Sequence, residues 1–349
     1  MKPPANRAPR PISLALQGGG SHGAFEWGVI ERLLEEESLE IAAVTAASAG
    51  AMNAAALATG LAANGREGAK ASLAALWRAS SNADSRNGTV FGDSSVWTSM
   101  LRPDWLKDSP AWRWAGSLGT TLSPYEFNPF NLNPLRDVLE KIIDFDAIRA
   151  PTALQLYVSA TGVRTGKARI FRNEELTVDH LLASACLPTL FHAVEIDGEP
   201  YWDGGYLANP ALWPLLYADT PDDVLVVSLN PFERKEVPRS PAEIMDRLNE
   251  ITFNASLSAE LRAIAFVRKL LDEGLLKESA RSHYRHMFVH AITADGYLGD
   301  LSMASKFSTE WAFLTDLRKR GRKAADAWLA AHLQQVGVAS TVDLKAEFL

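Results

Sequence analysis

Cysteine is nearly absent from the chain, which has one, Cys186, among 349 residues. A single cysteine cannot form an internal disulfide, and no Cys/His cluster surrounds it, so the sequence indicates neither a disulfide framework nor a metal site. Long hydrophobic runs are missing as well. The apolar stretch after the proline-rich residues 1–11 breaks at Gln17, too early for a signal-peptide core or a membrane span. We therefore expect a cytoplasmic protein.

Basic charge is in the minority. Lys and Arg number 35 against 42 Asp and Glu, for a formal net charge of -7. A nucleic-acid interface needs basic residues clustered over a large face, so we expect no nucleic-acid partner. With 47% hydrophobic and 22% charged residues, the composition is that of a globular protein able to bury a large core.

A strand–turn–helix pattern occurs twice near the start of the chain. The apolar run 12–16 ends in a glycine loop followed by a helical pattern, and the run 41–45 leads through Ser48 into an Ala-rich stretch. Such repeated units imply parallel strands, with functional loops at their carboxyl ends. The expected fold is α/β, with a mostly parallel central sheet between layers of helices. Further strands are predicted at 154–160, 168–171 and 224–229.

The patterns divide the chain into three regions. Residues 1–11 are an N-terminal tail, residues 12–230 form the α/β domain, and residues 231–349 are a helical extension. Within the domain, residues 80–133 lose their periodicity and are rich in Trp, Gly, Ser and Pro. Such a segment is either a cap over a site or an excursion whose indoles pack on the core, and the sequence leaves both open.

Ser48 lies in the segment TAASAG, at the predicted turn from strand to helix. Small flanking residues let the strand and the helix approach closely enough for the strained turn that exposes a nucleophilic hydroxyl. Gly50 fits the Gly-x-Ser-x-Gly pattern, but Ala46 stands in place of its first glycine. The motif by itself is therefore also compatible with an ordinary helix start capped by Ser48.

The glycine loop GGGSHG at residues 18–23 opens the first predicted helix. Its glycines can point several N–H groups at one spot, with the helix dipole behind them, which makes an anion site. The loop lacks the lysine and the spacing of phosphate-binding loops, so we prefer an oxyanion hole as its function.

Asp203 begins the sequence Asp-Gly-Gly. Two glycines after a carboxylate give a tight turn, whose open backbone lets the aspartate reach a neighbouring strand end. Alone, this pattern is no more than an Asp-Gly turn, and we expect Asp197-Gly198 to be a turn of that plain kind.

Together, the glycine loop, Ser48-x-Gly50 and Asp203-Gly204-Gly205, in this order, resemble the patatin-like phospholipases. The stretch ASACLP at residues 183–188 also resembles that family's Ala-Ser-x-x-x-Pro element. The resemblance covers about residues 12–215. It implies a patatin-like fold related to the α/β-hydrolases, and hydrolysis of lipid acyl esters through an acyl-enzyme by a Ser–Asp dyad, without metal or cofactor.

Carried over by position, the resemblance makes Ser48 the nucleophile and Asp203 the base. It places the oxyanion hole at Gly18, Gly19 and Gly20, with His22, Gly23, Ala49, Gly50, Gly204 and Gly205 in support. The implied partner is a lipid or other acyl-ester substrate, and peripheral contact with membranes is compatible with it. Two departures stand out, because the family usually has Arg or Lys where His22 stands and glycine where Ala46 stands.

Two alternatives remain open. A histidine after Asp203 would complete a Ser-Asp-His triad, as in carboxylesterases, and four are available at 283, 286, 290 and 332. Alternatively, the chain is a catalytically lapsed lipid-binding or regulatory module on a hydrolase scaffold, since a fold does not guarantee an activity.

Overall fold

An eight-stranded sheet forms the centre of the protein in the computed structural model, which describes residues 8–86, 123–151, 153–281, 283–299, 301 and 303–348. The strands are β1 (Arg10–Leu16), β2 (Leu39–Ala47), β3 (Gln155–Gly162), β4 (Lys167–Arg172), β5 (Val194–Ile196), β6 (Glu199–Asp203), β7 (Asp223–Ser228) and β8 (Phe288–Thr293). The five predicted strands are confirmed as β1, β2, β3, β4 and β7, whereas β5, β6 and β8 carry no strand prediction.

Twelve α-helical elements flank this sheet in the described part of the chain, and the second of them is kinked at Asn64 and Gly65, where the backbone is not helical. They are α1 (Gly23–Leu34), α2 (Ala49–Arg86), α3 (Pro124–Phe127), α4 (Leu135–Ile142), α5 (Phe145–Arg149), α6 (Val178–Ser184), α7 (Trp213–Tyr217), α8 (Pro241–Asp272), α9 (Glu278–Arg281), α10 (Asp295–Leu298), α11 (Trp311–His332) and α12 (Leu344–Phe348). Short 3-10 turns occur at Gly20–His22, Gly204–Tyr206 and Met303–Phe307.

The central strands run parallel. The order is β5-β6-β3-β2-β1-β7-β8, with β4 also paired to β3. Parallel pairs join β3, β2, β1, β7 and β8, and antiparallel pairs join β3 to β4, β3 to β6 and β5 to β6. The predicted α/β class with a mostly parallel sheet is therefore confirmed. Leu16 of β1 pairs with Ala46 of β2, so the turns that follow these two strands lie side by side.

β2 and β6 share one edge of β3 and meet end to end. β4 pairs with residues 157–162 of β3 and occupies one edge of that strand. β2 pairs with residues 155–159 of β3 and β6 with residues 160–162, so both must lie on the opposite edge. Ala47, the last residue of β2, pairs with Ser159, and Asp203, the last residue of β6, pairs with Ala160. The ends of β2 and β6 therefore converge on one point.

Alternate strand residues enter two separate cores, one on each face of the sheet, as the pleat of a strand requires. Leu14 and Leu16 of β1 face the first core, and Ala15 faces the second. The first core is closed by α1, α2 and α11, and the second by α7 and α8. Buried residues that these helices contribute include Phe25, Leu57 and Leu317 in the first core and Leu215 and Leu257 in the second.

Helix α11 packs against α1 in near backbone contact. A Cβ atom on Gly28 would overlap the carbonyl oxygen of Arg318, and one on Gly321 would overlap that of Phe25. Arg318 also donates hydrogen bonds to Glu31 of α1. The extension predicted over 231–349 thus adds both α11 and strand β8 to the main body, so it is not helical throughout.

The Trp-rich segment predicted at 80–133 lies mostly outside the described residues. Its first residues continue α2 to Arg86, and its last residues include α3, which begins after a capping box formed by Ser123 and Glu126. A role as a cap over the site stays a prediction.

Candidate active site

Ser48 occupies a strained turn between β2 and α2. Its φ of 51° lies in the left-handed region, which is costly for a residue other than glycine and which is typical of a nucleophile at a strand-to-helix elbow. The backbone N–H of Ser48 donates to Ser184 Oγ at 2.9 Å. Ser48 is therefore held in place by a residue of the ASACLP element, and the strain fits a functional position better than a simple helix cap.

The helix starts behind Ser48 are closely packed because their residues are small. A Cβ atom on Gly50 would come within 2.7 Å of the Leu16 carbonyl oxygen, and one on Gly23 within 2.8 Å of Ala49 Cβ. These contacts bring the N-termini of α1 and α2 together, as the predicted elbow requires. Ala46 is fully buried in β2, so its methyl group is accommodated within the core.

The glycine loop lies directly beside Ser48. A Cβ atom on Gly18 would stand 2.7 Å from Ser48 Cβ, so only glycine fits there. The N–H of Gly18, however, donates to Asn209 Oδ1 at 2.6 Å, which removes it from the predicted oxyanion donors in this conformation. Within the described residues, no hydrogen bond engages the N–H groups of Gly19 and Gly20. Gly20 has a φ of 56°.

Asp203 is 1% exposed at the end of β6. Burial raises the pKa of its carboxyl from 3.8 to about 7, and hydrogen bonds from Gly205 and Ser48 offset part of this rise. Its Oδ1 accepts the Gly205 N–H at 2.7 Å, and its backbone N–H donates to the Cys186 carbonyl at 2.8 Å. The ASACLP element therefore contacts both Ser48 and Asp203.

Ser48 lies next to the Asp203 carboxyl without a full hydrogen bond to its Oδ2. Their side chains are close enough for the Ser48 hydroxyl to lower the pKa of Asp203. Oδ2 of Asp203 nevertheless lacks a partner with the distance and angle of a full hydrogen bond among the described residues. Hydrogen bonds between reacting groups are often long without substrate and shorten when it binds, so the arrangement is compatible with a nucleophile and its base.

The two glycines after Asp203 allow close contacts on either side. A Cβ atom on Gly204 would overlap the backbone of Ser159 in β3, and one on Gly205 would stand 2.5 Å from the Phe253 ring. Phe253 belongs to α8, so this helix lies against the Asp203 turn. Asp197, in contrast, is exposed with a φ of 52° between β5 and β6, and forms the plain turn that the sequence predicts.

His22 does not supply positive charge to the glycine loop. Burial and the neighbouring Lys306 ammonium lower its pKa to about 3, so its ring is neutral at pH 7. Nε2 of His22 lies 2.7 Å from Ser305 Oγ, in the turn Met303–Phe307. Lys306, from the same turn, donates from Nζ to Asn230 Oδ1 at 2.6 Å. The sequence offers no signal for this lysine, because it lies far along the chain from the loop.

A buried network of side-chain amides holds the glycine loop in place. Gln17 Oε1 accepts the backbone N–H groups of Leu229 and Asn230, and Gln17 Nε2 donates to Asn254 Oδ1 at 2.9 Å. Asn209 and Asn230 contact Gly18 itself. These amides come from four separate segments, so the sequence analysis missed them. Satisfied buried networks of this kind hold backbone groups rigidly.

The histidines after Asp203 lie away from Ser48. His290 Nε2 is 2.9 Å from Asp223 Oδ1, at the amino end of β7, whereas Ser48 follows the carboxyl end of the parallel strand β2. His286 pairs with Asp272 and His332 with Gln335, and His283 precedes the amino end of β8. The geometry therefore gives no support to a Ser-Asp-His triad.

Two kinds of feature are absent from the part of the chain that the structure describes. No group of three or more His, Cys, Asp and Glu side chains is placed to hold a metal ion. Across the same ranges, no helix combines the length and the apolar character needed to cross a lipid bilayer.

The fold and the site define an α/β protein with a strained serine at a strand-to-helix turn, beside a glycine loop and a buried carboxylate. The family model described as patatin-like phospholipase matches residues 14–216, well over half of the chain. The protein belongs to this family, as the sequence predicts. Among curated proteins, none matches significantly.

Two solved structures are similar to the chain. VipD from Legionella pneumophila is 17% identical over 93% of this chain and 67% of its own, with a TM-score of 0.46. The ExoU–SpcU complex from the type III secretion system of Pseudomonas aeruginosa has a chain 17% identical over 92% of this chain, with a TM-score of 0.32. The protein spans 59% of that second chain.

Proposed function

We propose that the protein hydrolyses acyl esters of lipids, with Ser48 as the nucleophile and Asp203 as its general base. One observation carries the proposal: β2 and β6 abut on one edge of β3, which brings a strained serine against a buried carboxyl. Membership of the patatin-like phospholipases supports lipid acyl esters as the substrate class.

Asp203 has the properties of a base towards an alcohol. A pKa of about 7 makes its carboxylate a far better proton acceptor than an exposed aspartate, while a substantial fraction is still ionised near neutral pH. In the first step Asp203 accepts the hydroxyl proton as Ser48 Oγ attacks the ester carbonyl. The same proton then passes to the departing alcohol, which leaves an acyl-enzyme. A water activated by Asp203 hydrolyses the acyl-enzyme and regenerates Ser48.

The N–H groups of Gly19 and Gly20, which donate to none of the described residues, are the proposed oxyanion donors. They follow Gly18, which contacts Ser48, and they precede the first helix, whose dipole favours negative charge on the substrate oxygen. Each such donor typically contributes about 100- to 1000-fold in rate. Gly18 has a structural role in this proposal, since its N–H is bound to Asn209 and its missing side chain leaves room for Ser48.

Helix α8 supports a lipid rather than a small polar ester. It carries Phe253 against the Asp203 turn, and its N-terminal half exposes apolar side chains at helical spacing. An exposed apolar row on a surface helix suits contact with a lipid surface. The exposed residues are Ile244, Met245, Leu248 and Ile251.

Turnover of a short-chain nitrophenyl ester and of phospholipid vesicles by wild type, Ser48→Ala and Asp203→Asn tests the proposal. Wild type should cleave both substrates, and each variant should lose at least about 1000-fold in kcat, because nucleophile and base are needed in every cycle. Asp197→Asn, in the neighbouring exposed turn, is the matched control and should retain full activity. Full activity of folded Ser48→Ala or Asp203→Asn would refute the proposal.

A fluorophosphonate probe separates catalysis from a lapsed binding function. An activated serine with a working oxyanion hole should become covalently labelled at Ser48, and the Ser48→Ala variant should not. Folded wild-type protein that binds phospholipid vesicles but neither labels nor turns over would instead identify a lipid-binding module.

A further inference from the structure

The turn Met303–Phe307 is attached to the glycine loop at several points, although it lies beyond the family match at 14–216. The carbonyl oxygen of Lys306 lies so close to Gly20 that a Cβ atom there would overlap it. Ser305 Oγ lies 2.7 Å from His22 Nε2. The C-terminal part of the chain therefore forms one wall of the loop that carries the proposed oxyanion donors.

A chain of hydrogen bonds runs from Lys306 into this loop. Lys306 Nζ donates to Asn230 Oδ1 at 2.6 Å, and Asn230 Nδ2 donates to the Gly18 carbonyl oxygen at 3.3 Å. The carbonyl of Gly18 and the N–H of Gly19 belong to one peptide group. A donor at the carbonyl polarises that group, and consecutive hydrogen bonds strengthen each other in a medium of low dielectric constant.

We propose that Lys306 is a positioning residue for the oxyanion hole, and that its ammonium acts through Asn230 to orient the Gly18–Gly19 peptide and strengthen the Gly19 N–H as a donor. The inference rests on the proposed function, because it gives Lys306 a role in that same reaction. His22 is neutral and gives the loop no positive charge. In this proposal, Lys306 from the C-terminal part of the chain supplies that charge instead.

The charges around Lys306 are compatible with this role. Burial lowers its pKa to about 8, and the carboxylates of Glu250 and Asp246 oppose part of that effect, so the ammonium remains mostly charged at pH 7. Arg234 is engaged with Glu250 at 2.5 Å. The groups facing Lys306 are His22, Arg234, Asp246, Glu250 and Asp295.

Steady-state kinetics of Lys306→Met and Lys306→Arg on the nitrophenyl ester test the role of the charge. Lys306→Met should lose about tenfold in kcat with KM within twofold, which is less than the loss of a donor itself would cause. Lys306→Arg keeps a cation that can donate to Asn230 and should retain most of the activity. Lys319→Met, on the exposed surface of α11, is the control and should equal wild type.

A pH profile separates this role from a structural one. The kcat of wild type should rise as Asp203 ionises near pH 7 and fall above about pH 8 as Lys306 loses its proton. In Lys306→Arg the alkaline fall should move to higher pH, and in Lys306→Met it should be absent. The rise near pH 7 should remain in both.

The route through Asn230 is tested with a double mutant. If the ammonium acts through this amide, Lys306→Met should cause no further loss in an Asn230→Ala background. Unchanged kcat in folded Lys306→Met, or an unchanged alkaline fall, would overturn the inference while leaving the Ser48–Asp203 proposal intact. Failure of that proposal is recognised separately, by an active Ser48→Ala variant.

Discussion

Replacing Asp203 by Asn should abolish turnover and at the same time stabilise the fold at neutral and alkaline pH. The carboxyl is buried, and its pKa rises from 3.8 to about 7, so holding it ionised costs free energy that an amide avoids. At 1.36 kcal/mol for each pH unit, this difference corresponds to about 4 kcal/mol.

The effect has a defined pH dependence. Below pH 3.8 the carboxyl is protonated in both the folded and the unfolded chain, and ionisation costs nothing. Between that value and about pH 7 the unfolded chain ionises first, so the stability of the wild type falls as pH rises. Above about pH 7 the loss is complete. The amide of the Asp203→Asn variant never ionises, and the variant therefore lacks this component of the pH dependence.

The asparagine side chain fits the site without loss of a hydrogen bond. Its Oδ1 can keep the bond from the Gly205 N–H, and its Nδ2 replaces Oδ2, which has no full hydrogen bond in the described part of the protein. The adjacent Ser48 hydroxyl can accept from that Nδ2. No cavity or clash is created, so the electrostatic effect should dominate.

Urea denaturation of wild type and Asp203→Asn at about pH 4 and about pH 8 measures the difference in unfolding free energy. We expect near equality at the lower pH and a gain of about 4 kcal/mol for the variant at the higher pH. Asp197→Asn, which removes an exposed carboxylate, should differ by less than about 0.5 kcal/mol at both. A difference that does not depend on pH, or a variant destabilised at pH 8, would refute the reasoning.

Three further predictions concern the surroundings of the site. Gly321→Ala should destabilise the protein by about 1–3 kcal/mol in thermal denaturation, because its methyl group overlaps the Phe25 carbonyl; a change below about 0.5 kcal/mol would contradict the contact. His290→Ala should lower stability by about 1–3 kcal/mol, because Asp223 Oδ1 loses its bond to His290 Nε2 and keeps only that from the Gly337 N–H, but it should leave the kcat of folded protein unchanged; lost turnover would support the triad. Gly20→Ala should lower kcat at least tenfold, since a φ of 56° strains a side chain; wild-type kinetics would exclude this loop as an oxyanion hole.

Much of the fold was predictable because its signals are local. Apolar strands that each end in small residues and lead into a helix identify parallel units, and β1 and β2 follow this pattern directly. Parallel neighbours end at the same edge of a sheet, so the glycine loop and Ser48 were expected to meet. Strands β5 and β6 escaped prediction because they are only three and five residues long, so their pairing partners rather than a sequence pattern define them. Strand β8 also escaped prediction, although its sequence FVHAIT is rich in strand-favouring residues.

The sequence by itself determined the order of the three motifs and the family, and it left open whether Ser48 occupies a strained turn or an ordinary helix start. Only the tertiary structure decided that Asp203 is buried against Ser48, because this depends on the register of β2 and β6 along β3. The tertiary structure also decided that the Gly18 N–H donates a hydrogen bond to Asn209 and that Lys306 lies close to the glycine loop. Hydrogen bonds between distant segments depend on how the whole chain packs, and no local pattern of residues encodes them.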